Sequence, residues 1–153
     1  AYKGKYRPKN VSKYDGDPTK IIYRSSWECK AFRYCDMHPD IVSWGSETVV
    51  IPYVSPKDKK IHRYFVDLII RVRQSDGSIK TILIEIKPEK QMVPPDPSRR
   101  NATKTGRVST RFLREATTYV VNDAKWKAAE AFCEKKGWSF VKWGEAHIRA
   151  LNA

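Results

Sequence analysis

The sequence has few cysteines and no long apolar run. Cys29, Cys35 and Cys133 are odd in number and widely spaced, which argues against a disulfide framework and predicts reduced thiols. Cys29, Cys35 and His38 do not match a common zinc spacing. No apolar stretch approaches the roughly 20 residues that a membrane-spanning helix needs. The basic N-terminus has no apolar segment behind it, so we expect neither a membrane segment nor a signal peptide.

Acidic residues are also few compared with the basic residues of this chain. The 153 residues include 30 Lys and Arg but only 17 Asp and Glu, which gives a formal net charge of +13. This excess favours a polyanionic partner, either a nucleic acid or an anionic surface. Hydrophobic residues make up 41% of the chain, which is enough for one packed domain and argues against disorder.

The order of predicted elements is that of a mixed α/β domain with a central sheet. A capping box of Ser25 and Glu28 opens the first helix, and Pro39 ends it. We expect further elements in this order: strands at about 47–54, 61–73 and 79–87, a helix over 109–136 divided near Asn122, a strand at 138–143 and a helix at 145–151.

Two basic segments flank or interrupt this domain. Residues 1–20, broken by Pro8, Gly16 and Pro18, predict an arm over the surface, either a solvated tail or a nucleic-acid contact. Residues 21–153 form the single domain, with 88–108 inserted as a long basic loop.

Three charged residues interrupt two of the predicted strands. Asp67 lies in the apolar run 64–70, and Glu85 and Lys87 lie in the run 82–87. Burying a charge is costly unless it is paired, hydrogen-bonded or bound to a metal. The two runs are therefore candidates for a functional site.

The turn between these strands decides whether the charges share a face. A two-residue Asp76-Gly77 loop would place Asp67 opposite Ile86 and turn Glu85 away, because a one-residue slip exchanges the faces. A three-residue loop that ends with Gly77 in the left-handed conformation instead pairs Gln74 with Ser78. Asp67 then lies opposite Glu85, and Lys87 shares their face.

Adjacent carboxylates on one sheet face are suited to a divalent cation. Two such groups would repel each other and push one towards protonation, whereas Mg²⁺ takes one or two carboxylates with water and phosphate oxygens. Lys87 could orient or deprotonate a water molecule, or stabilise a leaving phosphate. The alternative is that Lys87 is only an ion-pair partner of Glu85 or Asp67 at a strand end.

A positive segment follows Lys87 directly. Chain continuity places it beside the carboxylates, where non-specific phosphate contact is its simplest role and a solvated charged surface is the alternative. The candidate DNA-binding residues are Lys90, Arg99, Arg100, Lys104, Arg107, Arg111 and Arg114.

With Asp67 on one strand and Glu85-Ile86-Lys87 on the next, the sequence resembles the PD-(D/E)XK nuclease superfamily. Val66 stands where that motif usually has proline. The resemblance implies a restriction-endonuclease-like α/β core of order αβββαβ over residues 24–143, with a central mixed sheet flanked by helices.

A narrower resemblance rests on three further motifs. The segment 24–28 (RSSWE), Asn122 with Lys125-Trp126, and the segment 143–145 (WGE) resemble the TnsA-like endonuclease branch. The length, the basic N-terminus and the YRSSWE segment are most similar to the head completion nucleases of tailed phages.

The resemblance also implies the roles of site residues. Asp67 and Glu85 would bind Mg²⁺ or Mn²⁺, the Ile86 carbonyl would add a ligand, and Lys87 would act on the water. Glu28 on the first helix would be a direct or outer ligand, although its capping role explains it equally well. No small-molecule cofactor is implied.

Two functions are compatible with these features. The first is a metal-dependent DNA endonuclease that processes phage DNA during head completion, in the host cytoplasm or on the virion, beside capsid or portal-vertex proteins. The second is a non-catalytic basic protein of the virion that binds DNA and capsid and retains a nuclease fold. An RNA-directed nuclease also remains open.

Overall fold

A computed structural model describes residues 2–151 of the chain. The strands are β1 (Gly4–Lys5), β2 (Ile22–Tyr23), β3 (Ile41–Ser46), β4 (Val50–Val54), β5 (Ile61–Phe65), β6 (Leu68–Arg73), β7 (Ile79–Ile86) and β8 (Ser139–Trp143). The helices are α1 (Ser26–Met37), α2 (Thr110–Lys136) and α3 (Glu145–Ala150). Short 3₁₀ turns occupy Val11–Lys13, Glu89–Met92 and Pro97–Arg99.

A four-stranded mixed sheet of order β3-β6-β7-β8 forms the centre of the fold. The β3–β6 and β6–β7 pairs are antiparallel, and the β7–β8 pair is parallel. Alternate residues of β6 and β7 enter two separate cores: Leu68 and Ile84 pack with α1 and α3, whereas Ile69 and Leu83 pack with α2. The predicted α/β class and central mixed sheet are confirmed.

The strands of this sheet differ from the predicted ones in two respects. The first core strand is β3, not the predicted strand at 47–54, most of which forms β4. The predicted strand at 61–73 is two strands, because the chain changes partners at Val66. β5 pairs with β4 in a separate hairpin, and β6 then pairs with β3.

Helix α2 is continuous, so the predicted division near Asn122 is wrong. Ser109 caps its start by accepting a hydrogen bond from Phe112 N (3.1 Å), and Gly137 ends it in the left-handed conformation. Asn122 is a weak helix former, but its side chain is buried and the helix packs on both sides of it. Tertiary packing overrides intrinsic propensity here.

The N-terminal residues cross the surface as an arm that is held at defined points. Tyr6 Oη donates to Asp36 Oδ2 (2.7 Å), and the Lys9 and Asn10 amides donate to the same carboxylate. Tyr14 packs its ring edge-on against Trp44, with centroids 4.7 Å apart.

The described residues contain neither a membrane-spanning helix nor a disulfide bond. Within residues 2–151, no helix is both long and apolar enough to cross a bilayer. Cys29, Cys35 and Cys133 are free thiols, as predicted.

Candidate active site

The turn between β6 and β7 has the predicted three-residue form. Gln74 N donates to Ser78 O (2.8 Å), and Gly77 N donates to Gln74 O (3.0 Å). Gly77 has φ of +85°, a conformation that glycine adopts without steric cost. Ile69 consequently pairs with Leu83, which confirms the predicted register.

This register places the three charged residues at one sheet surface. Asp67 and Glu85 line the same cleft with Lys87. Asp67 Oδ2 accepts a hydrogen bond from Ile86 N (2.8 Å), and Lys87 Nζ lies 3.7 Å from Glu85 Oε2. The predicted juxtaposition is therefore correct, and the predicted ion pair is also present.

Glu85 is held by two aromatic residues, neither of which the sequence pattern assigned to the site. Tyr64 Oη donates to Glu85 Oε1 (2.8 Å), and Trp126 Nε1 donates to Oε2 (3.2 Å). The carboxylate is only 5% exposed. In the sequence, Tyr64 and Trp126 looked like ordinary core residues. Only the pairing of a buried acid with buried aromatic donors could have indicated their role.

Burial and the charge of Glu85 govern the protonation of Asp67. Burial, and next the charge of Glu85, raise the pKa of Asp67 to about 8, and the hydrogen bond from Ile86 N only partly opposes them. Burial also raises the pKa of Tyr64 above its usual range, and the charge of Glu85 raises it further. Asp67 therefore tends to keep its proton beside Glu85 near neutral pH, and a bound divalent cation would favour its ionised form instead.

Glu28 lies in the same cleft and also caps α1. Its backbone N–H donates to Ser25 Oγ (3.1 Å), and its carboxylate accepts from Arg24 N. Burial raises the pKa of Glu28 against the opposing effect of Arg24, and the charges of Glu47 and Glu85 contribute to the rise. The two predicted roles of Glu28 are therefore compatible in space.

Two further cations line the cleft, which has a volume of about 350 Å³. Arg63 places its guanidinium 5.3 Å from the Phe65 ring centroid, and Lys125 Nζ lies 5.7 Å from the Tyr64 ring centroid. Lys125, which the sequence placed only in a family motif, reaches the cleft of the carboxylates from α2. Both cations are placed to contact a phosphate that enters the cleft.

The donor atoms present fit a small divalent cation. Each carboxylate retains unused lone pairs after the hydrogen bonds described above. Asp67, Glu85 and the Ile86 carbonyl would supply the few hard oxygen ligands that Mg²⁺ combines with water. Within residues 2–151, no three His, Cys, Asp or Glu side chains form a ready-made cation site, so Glu28 does not complete one.

The predicted DNA-binding residues separate into two groups. Lys90, Arg99, Arg111 and Arg114 line a second cavity between the segment 90–99 and α2. Arg100, Lys104 and Arg107 are exposed on the following loop and line neither cavity. None of the seven residues lines the cleft of Asp67 and Glu85 itself, in contrast to the predicted position beside the carboxylates.

The αβββαβ core, with paired carboxylates and a lysine on one sheet face, is that of the PD-(D/E)XK nuclease class. The sequence matches the family described as TnsA-like endonuclease, N-terminal, over residues 38–143. The chain belongs to the TnsA-like endonuclease family. It is 46% identical over 152 residues to the protein named head completion nuclease of Enterobacteria phage T4, covering 99% of this chain and 97% of that protein. No solved structure gave a significant match.

Proposed function

We propose that this protein is a metal-dependent DNA endonuclease that processes phage DNA during head completion. The observation that carries the chemistry is the cleft in which Asp67 and Glu85 meet Lys87. The phage setting is supported by the 46% identity to the T4 protein named head completion nuclease. On this proposal the protein works in the host cytoplasm or on the virion, near capsid or portal-vertex proteins.

Each residue of the cleft has a role in phosphodiester hydrolysis. Asp67 and Glu85 would hold Mg²⁺ or Mn²⁺ with the Ile86 carbonyl. Such an ion, when bound, makes water a better nucleophile and offsets charge on phosphate oxygens. Lys87 would orient the attacking water or hold a proton near it, and the short reach to Glu85 Oε2 (3.7 Å) restricts where its ammonium lies.

The remaining cations would bind the substrate. Arg63 and Lys125 border the carboxylates from β5 and α2 respectively. They would contact phosphates on either side of the scissile bond and thereby orient it.

A purely structural protein has no need of this arrangement. Burying Asp67 against Glu85 costs folding free energy, as the raised pKa of Asp67 shows. Natural proteins retain such unfavourable placements mainly at functional sites. This argument favours catalysis over the alternative of a non-catalytic DNA-binding protein.

The activity test uses supercoiled plasmid DNA with Mg²⁺ or Mn²⁺. We expect nicking by the wild type, and a loss of at least 100-fold in Asp67→Ala and Lys87→Ala, because removing a metal ligand or the group that acts on water removes the chemical step. Asp40→Ala, which alters an exposed carboxylate away from the cleft, should retain the wild-type rate. If the wild type and all variants bind DNA but none of them nicks the plasmid, the proposed endonuclease activity is refuted.

Metal binding can be measured without catalysis. We expect Mg²⁺ to raise the Tm of the wild type, because a ligand that binds only the native state stabilises it. Near pH 7, Asp67→Asn should melt higher than the wild type in EDTA, because it removes a carboxyl group that ionises more readily in the unfolded chain than in the folded protein. The variant should not respond to Mg²⁺. An identical Mg²⁺ response in both proteins would place the ion elsewhere.

A further inference from the structure

The second cavity has a volume of about 580 Å³ and combines apolar walls with a basic rim. Val93, Pro94 and Pro95 face Tyr119 of α2 across it. Val93 is 58% exposed, so the wall presents apolar surface to solvent. A cavity of this size that combines apolar surface with polar side chains is typical of small-ligand sites.

The positive charge around this cavity exceeds its negative charge. Glu115 is already engaged by Arg111 (2.9 Å) and Arg99 (3.6 Å). Lys90 and Arg114 form no ion pair with any described residue. The rim therefore has two cations available for an anionic ligand.

Asn122 adds an amide group to the lining of the cavity, where only 8% of the residue is exposed. Its carbonyl and NH₂ group together match the donor and acceptor edge of a nucleobase.

Helix α2 contributes residues to both the cavity and the cleft. Asn122 lines the cavity and Lys125, three residues later, lines the cleft. Tyr119 packs edge-on against Trp126, with ring centroids 6.4 Å apart, and Trp126 donates to Glu85. Because positions three apart are neighbours on a helix surface, a DNA strand bound in the cleft beside Lys125 would bring a neighbouring nucleotide towards Asn122 and the cavity.

We propose that the second cavity binds an unpaired nucleobase, and that the preferred substrate has a single-stranded or branched segment at the cut site. The base lies against the apolar walls and Tyr119, and Asn122 pairs with its edge. Lys90 and Arg114 contact the flanking phosphates. Bases inside a duplex are not available to such a cavity. This proposal rests on the proposed function and specifies its substrate.

The test compares two labelled DNA probes that differ only in bases. Each is the same duplex with a three-nucleotide 3′ extension, made of adenines in one probe and of abasic residues in the other, so the phosphate charge is equal. Affinity is measured by fluorescence anisotropy in EDTA at constant salt, where no cutting occurs. We expect the wild type to bind the adenine probe about tenfold more tightly, as expected from stacking of a base on an aromatic ring.

Variants assign this preference to the cavity. Asn122→Leu and Tyr119→Ala should each bring the ratio of the two affinities to within about twofold of unity, with binding of the abasic probe unchanged. Val120→Ala changes an exposed position on the same helix and should keep the wild-type ratio of affinities. Thermal melting followed by circular dichroism shows whether each variant is folded. If Asn122→Leu does not fold, the affinity ratios of the wild type and of Tyr119→Ala still show whether the cavity binds a base.

Two results would overturn the proposal. One is equal affinity of the wild type for both probes; the other is a variant that weakens both probes equally, which would indicate general phosphate binding. Plasmid nicking by a wild type without base preference would defeat this inference and leave the proposed function intact. Failure to bind or cut any DNA would defeat both.

Discussion

At the residue scale, Glu85 connects most of the contacts that shape the cleft. Its two oxygens accept from Tyr64 and Trp126, and Lys87 lies 3.7 Å away. Hydrogen bonds that hold a ligand carboxylate preserve its orientation, and their loss commonly reduces activity or metal affinity tenfold or more. Tyr64 and Trp126 are therefore positioning residues, since they act on substrate only through Glu85.

Tyr64→Phe tests this positioning role. The variant keeps the buried ring but leaves Glu85 Oε1 without its donor, so we expect a loss of about 1–3 kcal/mol in the free energy of unfolding. It should lower kcat for plasmid nicking roughly tenfold while leaving KM nearly unchanged, because the variant keeps every cation that lines the cleft.

The matched control is Tyr53→Phe. Tyr53 belongs to the same core, but its hydroxyl forms no hydrogen bond with the described residues, so both kcat and stability should change little. If Tyr64→Phe lost stability with an unaltered kcat, Tyr64 would be a structural residue only.

At the scale of elements, the β6–β7 hairpin was the most predictable part of the site. Its turn chemistry and apolar alternation are local features, and together they specify which residues oppose each other. The Ile69–Leu83 pairing and the shared cleft of Asp67 and Glu85 follow from them.

Elements that depend on distant contacts could not be predicted as well. Residues 61–73 read as one strand, although they change partners at Val66, where the Val66 amide bonds to Val49 O (3.0 Å). Trp126 donates to Glu85 across 41 positions of sequence, and no local pattern encodes that contact. Asn122 was predicted to break the helix because the sequence does not show that its side chain is buried beside the cavity.

Gly77→Ala tests the turn. A Cβ at this position meets no atom within 4 Å, so the cost comes only from the left-handed backbone and should be about 1–2 kcal/mol in urea unfolding. Gly77→Asn should cost less, because Asn tolerates this conformation better. Nicking activity should not change, since the apolar faces of β6 and β7 maintain the register. Equal stability of all three proteins would contradict a left-handed Gly77.

At the scale of the whole molecule, one buried carboxylate, Asp36, collects several of the contacts that join the N-terminal arm to the domain. Burial opposes the charge of Asp36, but hydrogen bonds from the Lys9 amide, the Tyr6 hydroxyl and the Asn10 amide outweigh it and hold the pKa of Asp36 below its ordinary value. The arm therefore contributes to folding and is not simply a solvated tail.

Asp36 should make the protein sensitive to acid. Because its pKa is lower in the folded state, its stabilisation is present above the unfolded value of about 3.9 and is lost as pH falls through the folded value. We expect Asp36→Asn to cost about 2 kcal/mol at pH 7, and the gap from the wild type to narrow below pH 4. Thermal melts at pH 2–7 measure this, with exposed Asp40→Asn as the control. A gap that is independent of pH would show that the charge of Asp36 is not involved.

The net charge of +13 predicts salt-sensitive DNA binding, and its distribution can be tested with two variants of equal charge. The first replaces Arg100, Lys104 and Arg107 with Ala on the loop after Lys87; the second replaces Lys57, Lys59 and Lys60 at the turn of the β4–β5 hairpin. Each phosphate contact adds about 0.9 to the slope of log K against log salt. If the loop lies along the DNA that enters the cleft, the loop variant should lower the slope by up to about 3, and the hairpin variant by less. Equal slopes in the two variants would mean that net charge alone, and not a defined track beside Asp67 and Glu85, attracts the DNA.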